Sequence, residues 1–323
     1  MSKIINKIVF WYKNSRPYSI PITFLSWLVI FVYSLKSGGS FTNGLIAYFG
    51  IALVHLATNL SDDYFDFLYL SKNKEQLNAT KSIKCSYLKD GTSTVEELRN
   101  VLIIMFSVAA ICGFYLFLKS GVMVFGFMLS AFPIALLYSF LSRKGLGDIA
   151  VILAYGPLMF EGVYYVMTGQ MSWNVLILSF ACAMFVNTIL YVHMLMDYDE
   201  DVCSYKTTLC TLFNSKEYAL RLLVLFYILA YIFIYLFALR MDNYLYLITF
   251  CTLPMVIELY VYLSQYNKNK LNVPQIRFWH YPLEGWNEKA HTPSAAFFFR
   301  FMYTRNISTW FMLFVIIAII FSM

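Results

Sequence analysis

Residues 43–67 read NGLIAYFGIALVHLATNLSDDYFDF, an apolar run that ends in Asp62, Asp63 and Asp66. About 20 mostly apolar residues cross a bilayer, so the run is a membrane span that closes on a knot of like charge. Runs of similar length recur along the chain. The spacing predicts spans at 19–36, 43–67, 98–118, 121–141, 148–168, 173–196, 220–239, 243–264 and 304–322. The expected fold is an all-α integral membrane protein with nine transmembrane helices, read as a single domain over residues 1–323.

Composition supports this. Of 323 residues, 60% are hydrophobic, 19% aromatic and 13% charged, against about 25% charged in soluble domains. That excludes a soluble globular enzyme, a disordered tail and a nucleic-acid binder working through a basic surface. Between the predicted spans, all Lys and Arg fall on one side except Lys36, Lys119 and Arg240. The positive-inside bias then puts the N-terminus and the long loops in the cytoplasm. The six cysteines form no CxxC pair, so neither a disulfide framework nor a zinc site is expected. The Lys-bearing, aromatic N-terminus does not read as a removable signal peptide.

Two acidic clusters stand out against this low charge. In the first, Asn59, Asp62, Asp63 and Asp66 fall within roughly one third of a helix circumference at about 100° per residue. The second, Asp197-Tyr198-Asp199-Glu200-Asp201, ends the sixth span and puts Asp197 and Asp201 one turn apart. Carboxylates stacked on one stripe repel unless a cation lies between them, and at a helix C-terminus they also oppose the macrodipole. Carboxylate oxygens suit Mg²⁺, which usually shares its coordination with substrate phosphates. Both clusters adjoin lysine-rich loops on the expected cytoplasmic side. Acids for the metal and lysines for phosphate oxygens describe a diphosphate site. With an apolar interior for the tail, the substrate read from these residues is a polyprenyl diphosphate.

The same residues resemble a known family. Thr58-Asn59-Leu60 with Asp63-Tyr64-Phe65-Asp66-Phe67, Gly145-Leu146-Gly147-Asp148, Gly156-Pro157-Leu158, Tyr164-Tyr165-Val166, Thr168-Gly169, and Asp197 with Asp201, Lys206, Thr208 and Leu209 are similar to the UbiA superfamily of intramembrane prenyltransferases. Within it, they are most similar to the 1,4-dihydroxy-2-naphthoate polyprenyltransferases. The resemblance implies a helical bundle around a central cavity, capped on the cytoplasmic side by the motif loops, in the bacterial cell membrane. It implies Mg²⁺-dependent transfer of a prenyl group to an aromatic, quinone-precursor-like or other lipophilic acceptor. Asp66, Asp197 and Asp201 match metal-binding positions, with Asp62 and Asp63 beside them, and Lys206 matches a basic position. Asp62 stands where the family usually has Asn, no further acid follows Asp66, and Ser86 stands where an Arg is often found, leaving Lys84 or Lys89 to substitute. His55 and His193 replace a common Gln and Asn. These departures keep two rivals in view: a cyclase or non-aromatic lipid prenyltransferase of the same family, and a non-catalytic subunit that binds a prenyl lipid.

Other residues carry a functional and a plainer reading. His55, one turn before Asn59, either contacts the acceptor or takes its proton, or is a satisfied core histidine. His193 faces the second cluster one turn before Asp197 and reads as catalytic. Glu161 is an acid inside a span, which defaults to substrate binding but also fits a pairing between helices. Asp148 begins the fifth span as a possible helix N-terminal charge. Tyr164, Tyr165 and the 297–301 stretch fit interfacial aromatic belts. The stretch 277–282 reads either as an amphipathic element on the membrane or as a partner-binding strip.

Overall fold

The computed structural model describes residues 2–72, 85–203 and 207–322, within which every regular element is a helix. A short helix, α1 (Ser2–Asn14), and a 3₁₀ turn, Pro17–Ser19, precede the bundle. Among the described residues nine helices are long and apolar enough to cross a membrane. They are α2 (Ile20–Lys36), α3 (Phe41–Leu70), α4 (Val95–Ser120), α5 (Met123–Arg143), α6 (Gly147–Thr168), α7 (Trp173–Met196), α8 (Lys216–Arg240), α9 (Tyr244–Asn267) and α10 (Ala295–Phe321). Side-chain caps start several of them: Ser40 for α3, Thr94 for α4 and Ser172 for α7 each accept a hydrogen bond from a backbone N–H of the first turn.

The hub is α7, the most buried of the nine, packed against α6, α8 and α10. In lipid, helices associate mainly by close packing rather than by expelling water, and α7 is built for that. Ala181, Cys182 and Ala183 are fully buried, and Phe185 stacks on Phe311 of α10 with ring centroids 3.9 Å apart. A Cβ on Gly156 would come to 3.0 Å of the Ala183 Cβ, so glycine there lets α6 approach α7 without pushing its neighbour aside. Helices α4 and α5 lie at the periphery and turn Ile103, Ile104, Ile111 and Phe114 outward. The span α6 is not regular: residues Ala154–Leu158 form a π turn, with Gly156 at φ −101°, ψ −112° and Pro157 lacking a donor.

Helix α1 is amphipathic. It docks Phe10 and Trp11 against Tyr87, with the Trp11 and Tyr87 rings edge-on at 5.6 Å, and leaves Ile5, Ile8, Val9 and Tyr12 exposed. The larger departure from expectation is α10, which begins at Ala295 instead of 304. The sequence reads 297–301 as an interface anchor ahead of the span, a stretch that contains Arg300. In the structure its side chain is fully buried, and backbone carbonyls satisfy the guanidinium: Tyr262 at 2.9 Å, Ala296 at 2.8 Å and Asn272 at 3.3 Å. The 277–282 stretch docks on the bundle itself. Glu258 accepts hydrogen bonds from Trp279 Nε1 (2.9 Å), His280 Nε2 (3.3 Å), Tyr303 (2.7 Å) and Tyr262 (2.6 Å), while Phe278 stays exposed. Burial pushes the His280 imidazole below its ordinary pKa against the pull of Glu258.

Replacing Arg300 with Met keeps the volume but removes three charge-assisted hydrogen bonds to carbonyls, an expected loss of about 3 kcal/mol. Thermal unfolding in detergent micelles reads it as a clear drop in melting temperature. An unchanged melting temperature would mean that Arg300 does not hold α9 and α10 together.

Candidate active site

The carboxylates of α3 lie at one end of the bundle, and each meets an arginine brought by another element. Asp62 and Asp63 are buried. Arg16, in the left-handed region at φ 59° just before the Pro17–Ser19 turn, turns its guanidinium back onto both: it pairs closely with Asp63 and lies 3.4 Å from Asp62 Oδ2. Burial by itself would lower the Arg16 pKa, but the Asp63 and Asp62 charges outweigh it and hold it above its ordinary value. Tyr87, on the short helix Ser86–Lys89, donates to Asp63 Oδ2 at 3.1 Å, and the Cys85 thiol donates to the Asp63 carbonyl at 3.2 Å. Burial and the neighbouring Asp63 charge push the Tyr87 phenol well above its ordinary range. Lys89 closes that short helix, partly buried.

Asp66 is served from α5. Its Oδ1 accepts from Ser139 Oγ at 2.7 Å and from Arg143 at 2.5 Å, and the Arg143 guanidinium also lies over the Tyr69 ring, 4.0 Å from its centroid. Arg143 ends α5, and the next residue, Lys144, forms a backbone bridge with Thr207, just past the second acidic cluster. The α5–α6 turn therefore joins the α3 carboxylates to the segment that follows α7.

In that second cluster His193 Nδ1 is 3.0 Å from Asp197 Oδ2, and Phe297 and Phe301 flank the imidazole edge-on at 5.2 and 5.7 Å. Asp197 ends α7, and a further short helix, Tyr198–Cys203, carries Asp201 one turn on, where it is buried. Asp199 points away and pairs with Lys216. Burial, then the Asp199 charge, raises the Tyr198 pKa.

The structure thus gathers Asn59, Asp62, Asp63 and Asp66 in one group, beside the short helix that ends at Lys89, and His193, Asp197 and Asp201 in a second at the same end. Lys84 and Lys206 lie outside the described residues. His55 sits deeper, among hydroxyls: Ser19 Oγ at 2.8 Å, the Tyr155 hydroxyl at 3.0 Å, and Thr23. Asn59 Nδ2 donates to the Ser15 carbonyl at 2.9 Å and to Ser19 Oγ at 3.2 Å. Glu161 is not brought to this end. Its carboxylate accepts from Ser172 N at 3.2 Å, at the start of α7 and the opposite end of the bundle, where a negative charge complements the helix dipole. Among the described residues no three of His, Cys, Asp or Glu converge on one metal position. The α3 acids converge on guanidinium groups instead.

Sequence reasoning missed Arg16, Ser139, Arg143, Tyr87 and Tyr155. Both arginines border predicted spans on the basic side, and this position was their one visible signal. The tyrosines looked like ordinary aromatic packing.

Comparison with known proteins accords with this architecture. The profile of the UbiA prenyltransferase family matches residues 19–281. Two relatives named 1,4-dihydroxy-2-naphthoate octaprenyltransferase are each 23% identical to the chain. The one from Haemophilus influenzae aligns over 81% of this chain and 89% of its own length, and the one from Escherichia coli over 68% and 74%. Among solved structures, one described for digeranylgeranylglyceryl phosphate synthase superposes with a TM-score of 0.63 at 14% identity, covering 98% of this chain and 99% of its own. A UbiA homologue from Archaeoglobus fulgidus bound to GPP and Mg²⁺ gives 0.56 at 14% identity, covering 96% and 99%. With nine spans, two acidic helix ends meeting at one end of the bundle and a family match over most of its length, the chain belongs to the UbiA prenyltransferase family.

Proposed function

We propose that the acidic end of the bundle binds the diphosphate of a polyprenyl diphosphate with Mg²⁺, and that the prenyl group passes to a hydroxylated aromatic acceptor of the quinone-precursor kind. The observation that carries this reading is the meeting of two acidic helix ends, the α3 one paired with arginines, at one end of an apolar bundle. The donor set suits the metal in kind, since these are hard carboxylate oxygens, and the ion would take over the positive charge that Arg16 and Arg143 bring to the α3 acids. Asp62, Asp63, Asp66, Asp197 and Asp201 are the residues that would hold Mg²⁺. Bound there, the ion neutralises charge that builds on the leaving diphosphate. The naphthoate substrate named for the two bacterial relatives supports an aromatic acceptor.

The chain's own groups do the rest. Arg16 and Arg143, together with Lys89, Lys84 and Lys206, would supply positive charge for phosphate oxygens. Phe297, Phe301 and the His193 ring give an aromatic wall beside Asp197, which excludes water and favours an allylic cation electrostatically. His193 orients Asp197 through their 3.0 Å contact. The acceptor's ring carbon bonds to the allylic carbon while the C–O bond to diphosphate breaks, the electron pair of that bond leaves with the diphosphate, and the alkylated ring carbon then gives up its proton to a diphosphate oxygen. The basic residues collected at this end support a cytoplasmic orientation in a bacterial cell membrane, and Lys36 and Arg240 are held at the other end by Ile319 and Asn174.

The test uses the full chain in lipid nanodiscs with a radiolabelled polyprenyl diphosphate, with and without 1,4-dihydroxy-2-naphthoate. Prenylated product is expected only when Mg²⁺ and the acceptor are both present, and EDTA should abolish it. Asp66→Ala and Asp197→Ala should each lower kcat/KM by about 10²–10³, a loss of roughly 3–4 kcal/mol in transition-state stabilisation. Diphosphate release at the wild-type rate in both variants would refute the site.

Arg143→Ala is expected to raise KM for the prenyl diphosphate about tenfold, the order of one charge-assisted hydrogen bond. It should leave KM for the acceptor within about twofold. Initial-rate kinetics with each substrate varied in turn separate the two, and a shift confined to the acceptor would contradict a phosphate role.

A further inference from the structure

His55 lies on α3 seven residues before Asp62, and its ring nitrogens face the hydroxyls of Ser19, Thr23 and Tyr155. Nε2 is 2.8 Å from Ser19 Oγ. Nδ1 faces Thr23 Oγ1 and, at 3.0 Å, the Tyr155 hydroxyl, and those two hydroxyls are themselves 2.8 Å apart. The Ser19 hydroxyl donates to the Arg16 carbonyl at 2.8 Å and accepts from Asn59 Nδ2 at 3.2 Å. With its one hydrogen committed to Arg16, Ser19 offers His55 a lone pair, so Nε2 carries the imidazole hydrogen. Nδ1 is then an acceptor, confronted by two hydroxyls that both have hydrogens to place.

The backbone brings this about. Tyr155 belongs to the π turn of α6, next to Gly156, whose dihedral angles leave the helix. π turns inside helices often mark functional positions. Thr23 is buried, whereas His55 and Tyr155 keep some accessible surface although both lie within the bundle. Arg16 is the charged group acting on His55, and it is itself paired with Asp62 and Asp63. A packing histidine needs one partner on each nitrogen. This one has a fixed tautomer, a lone pair doubly attended by hydroxyls, and a place on the stripe that leads to the carboxylates.

We infer that His55, with Tyr155 and Thr23, forms the proton site for the acceptor: a hydroxyarene docks its hydroxyl beside Tyr155 and Thr23, and His55 Nδ1 removes the hydroxyl proton. This rests on the prenyl-transfer reading above and names the acceptor's recognised group. The hydroxyl O–H bond breaks, its proton goes to Nδ1, and its electron pair feeds the ring. A ring carbon forms the new C–C bond as the allylic C–O bond breaks and the diphosphate leaves with that electron pair. The ring then loses the hydrogen at the alkylated carbon to a diphosphate oxygen, and the imidazolium returns its proton to the carbonyl oxygen. The hydroxyarene is restored and the histidine is neutral again.

The experiment compares wild type with His55→Ala, His55→Gln and Tyr155→Phe in nanodiscs, with 1,4-dihydroxy-2-naphthoate as the acceptor and Mg²⁺ present. His55→Ala and His55→Gln should lose about 10²–10³ in kcat for transfer, the range of a general base, with prenyl diphosphate affinity by calorimetry within about twofold. Tyr155→Phe should mainly raise the acceptor KM. Added imidazoles should restore part of the His55→Ala rate in proportion to their basicity, a dependence that filling a packing cavity would not give. Turnover by His55→Ala within about threefold of wild type would overturn this assignment alone. So would loss of prenyl diphosphate binding in both His55 variants without imidazole rescue, which would make His55 structural. Failure of the wild type to prenylate any hydroxyarene would overturn the transfer reading itself and this one with it.

Discussion

Three aspartates within five residues of α3 set the main constraint on this protein. Charges of one sign held this close at the end of a membrane helix are unstable without positive charge beside them, and water alone does not supply it to the buried Asp62 and Asp63. The chain answers from two directions. Arg16 enters from the α1–α2 junction and Arg143 from the end of α5. Each ion pair therefore also fixes where a helix ends. Helix α1 gains a second hold through Tyr87, whose hydroxyl reaches Asp63 while its ring takes Trp11. Neutralising the cluster and assembling that end of the bundle are one act.

This view explains why the site is polarised along the bundle. Acids, arginines and the His193–Asp197 pair crowd one end, and the other end is closed by plainer devices. Lys36 meets the last carbonyls of α10, and Glu161 meets the first amide groups of α7. Between them the interior is aromatic and aliphatic, interrupted by the hydroxyls around His55. A substrate with a highly charged head and a long apolar tail matches that gradient.

Much of this was legible in the sequence. Nine apolar runs were readable because crossing a bilayer demands about 20 residues whatever the partner helices do. The acidic clusters were readable because charge is scarce elsewhere. What escaped depends on contacts between distant residues: Arg16 and Asp63 are 47 positions apart, and Arg143 and Asp66 are 77. The early start of α10 is not visible in the sequence, because it depends on the three carbonyls that receive Arg300 inside the bundle. Glu161 was read toward substrate because an acid in a span suggests one, and only the fold reveals the helix start it serves. Tyr155 stood among many tyrosines, and its role hangs on a backbone irregularity of which Gly156-Pro157 is just a faint sign.

The carbonyl tie of Arg300 has a bearing on how the chain is made. Two of its three acceptors, Tyr262 and Asn272, belong to α9 and the chain just beyond it. Entering lipid alone, α10 would carry a bare guanidinium into an apolar phase, which is unfavourable by about 2.5–3.5 kcal/mol near the bilayer centre and less toward the interface. Beside α9 the same group is already satisfied. The last helix is thus favoured to integrate beside the one before it.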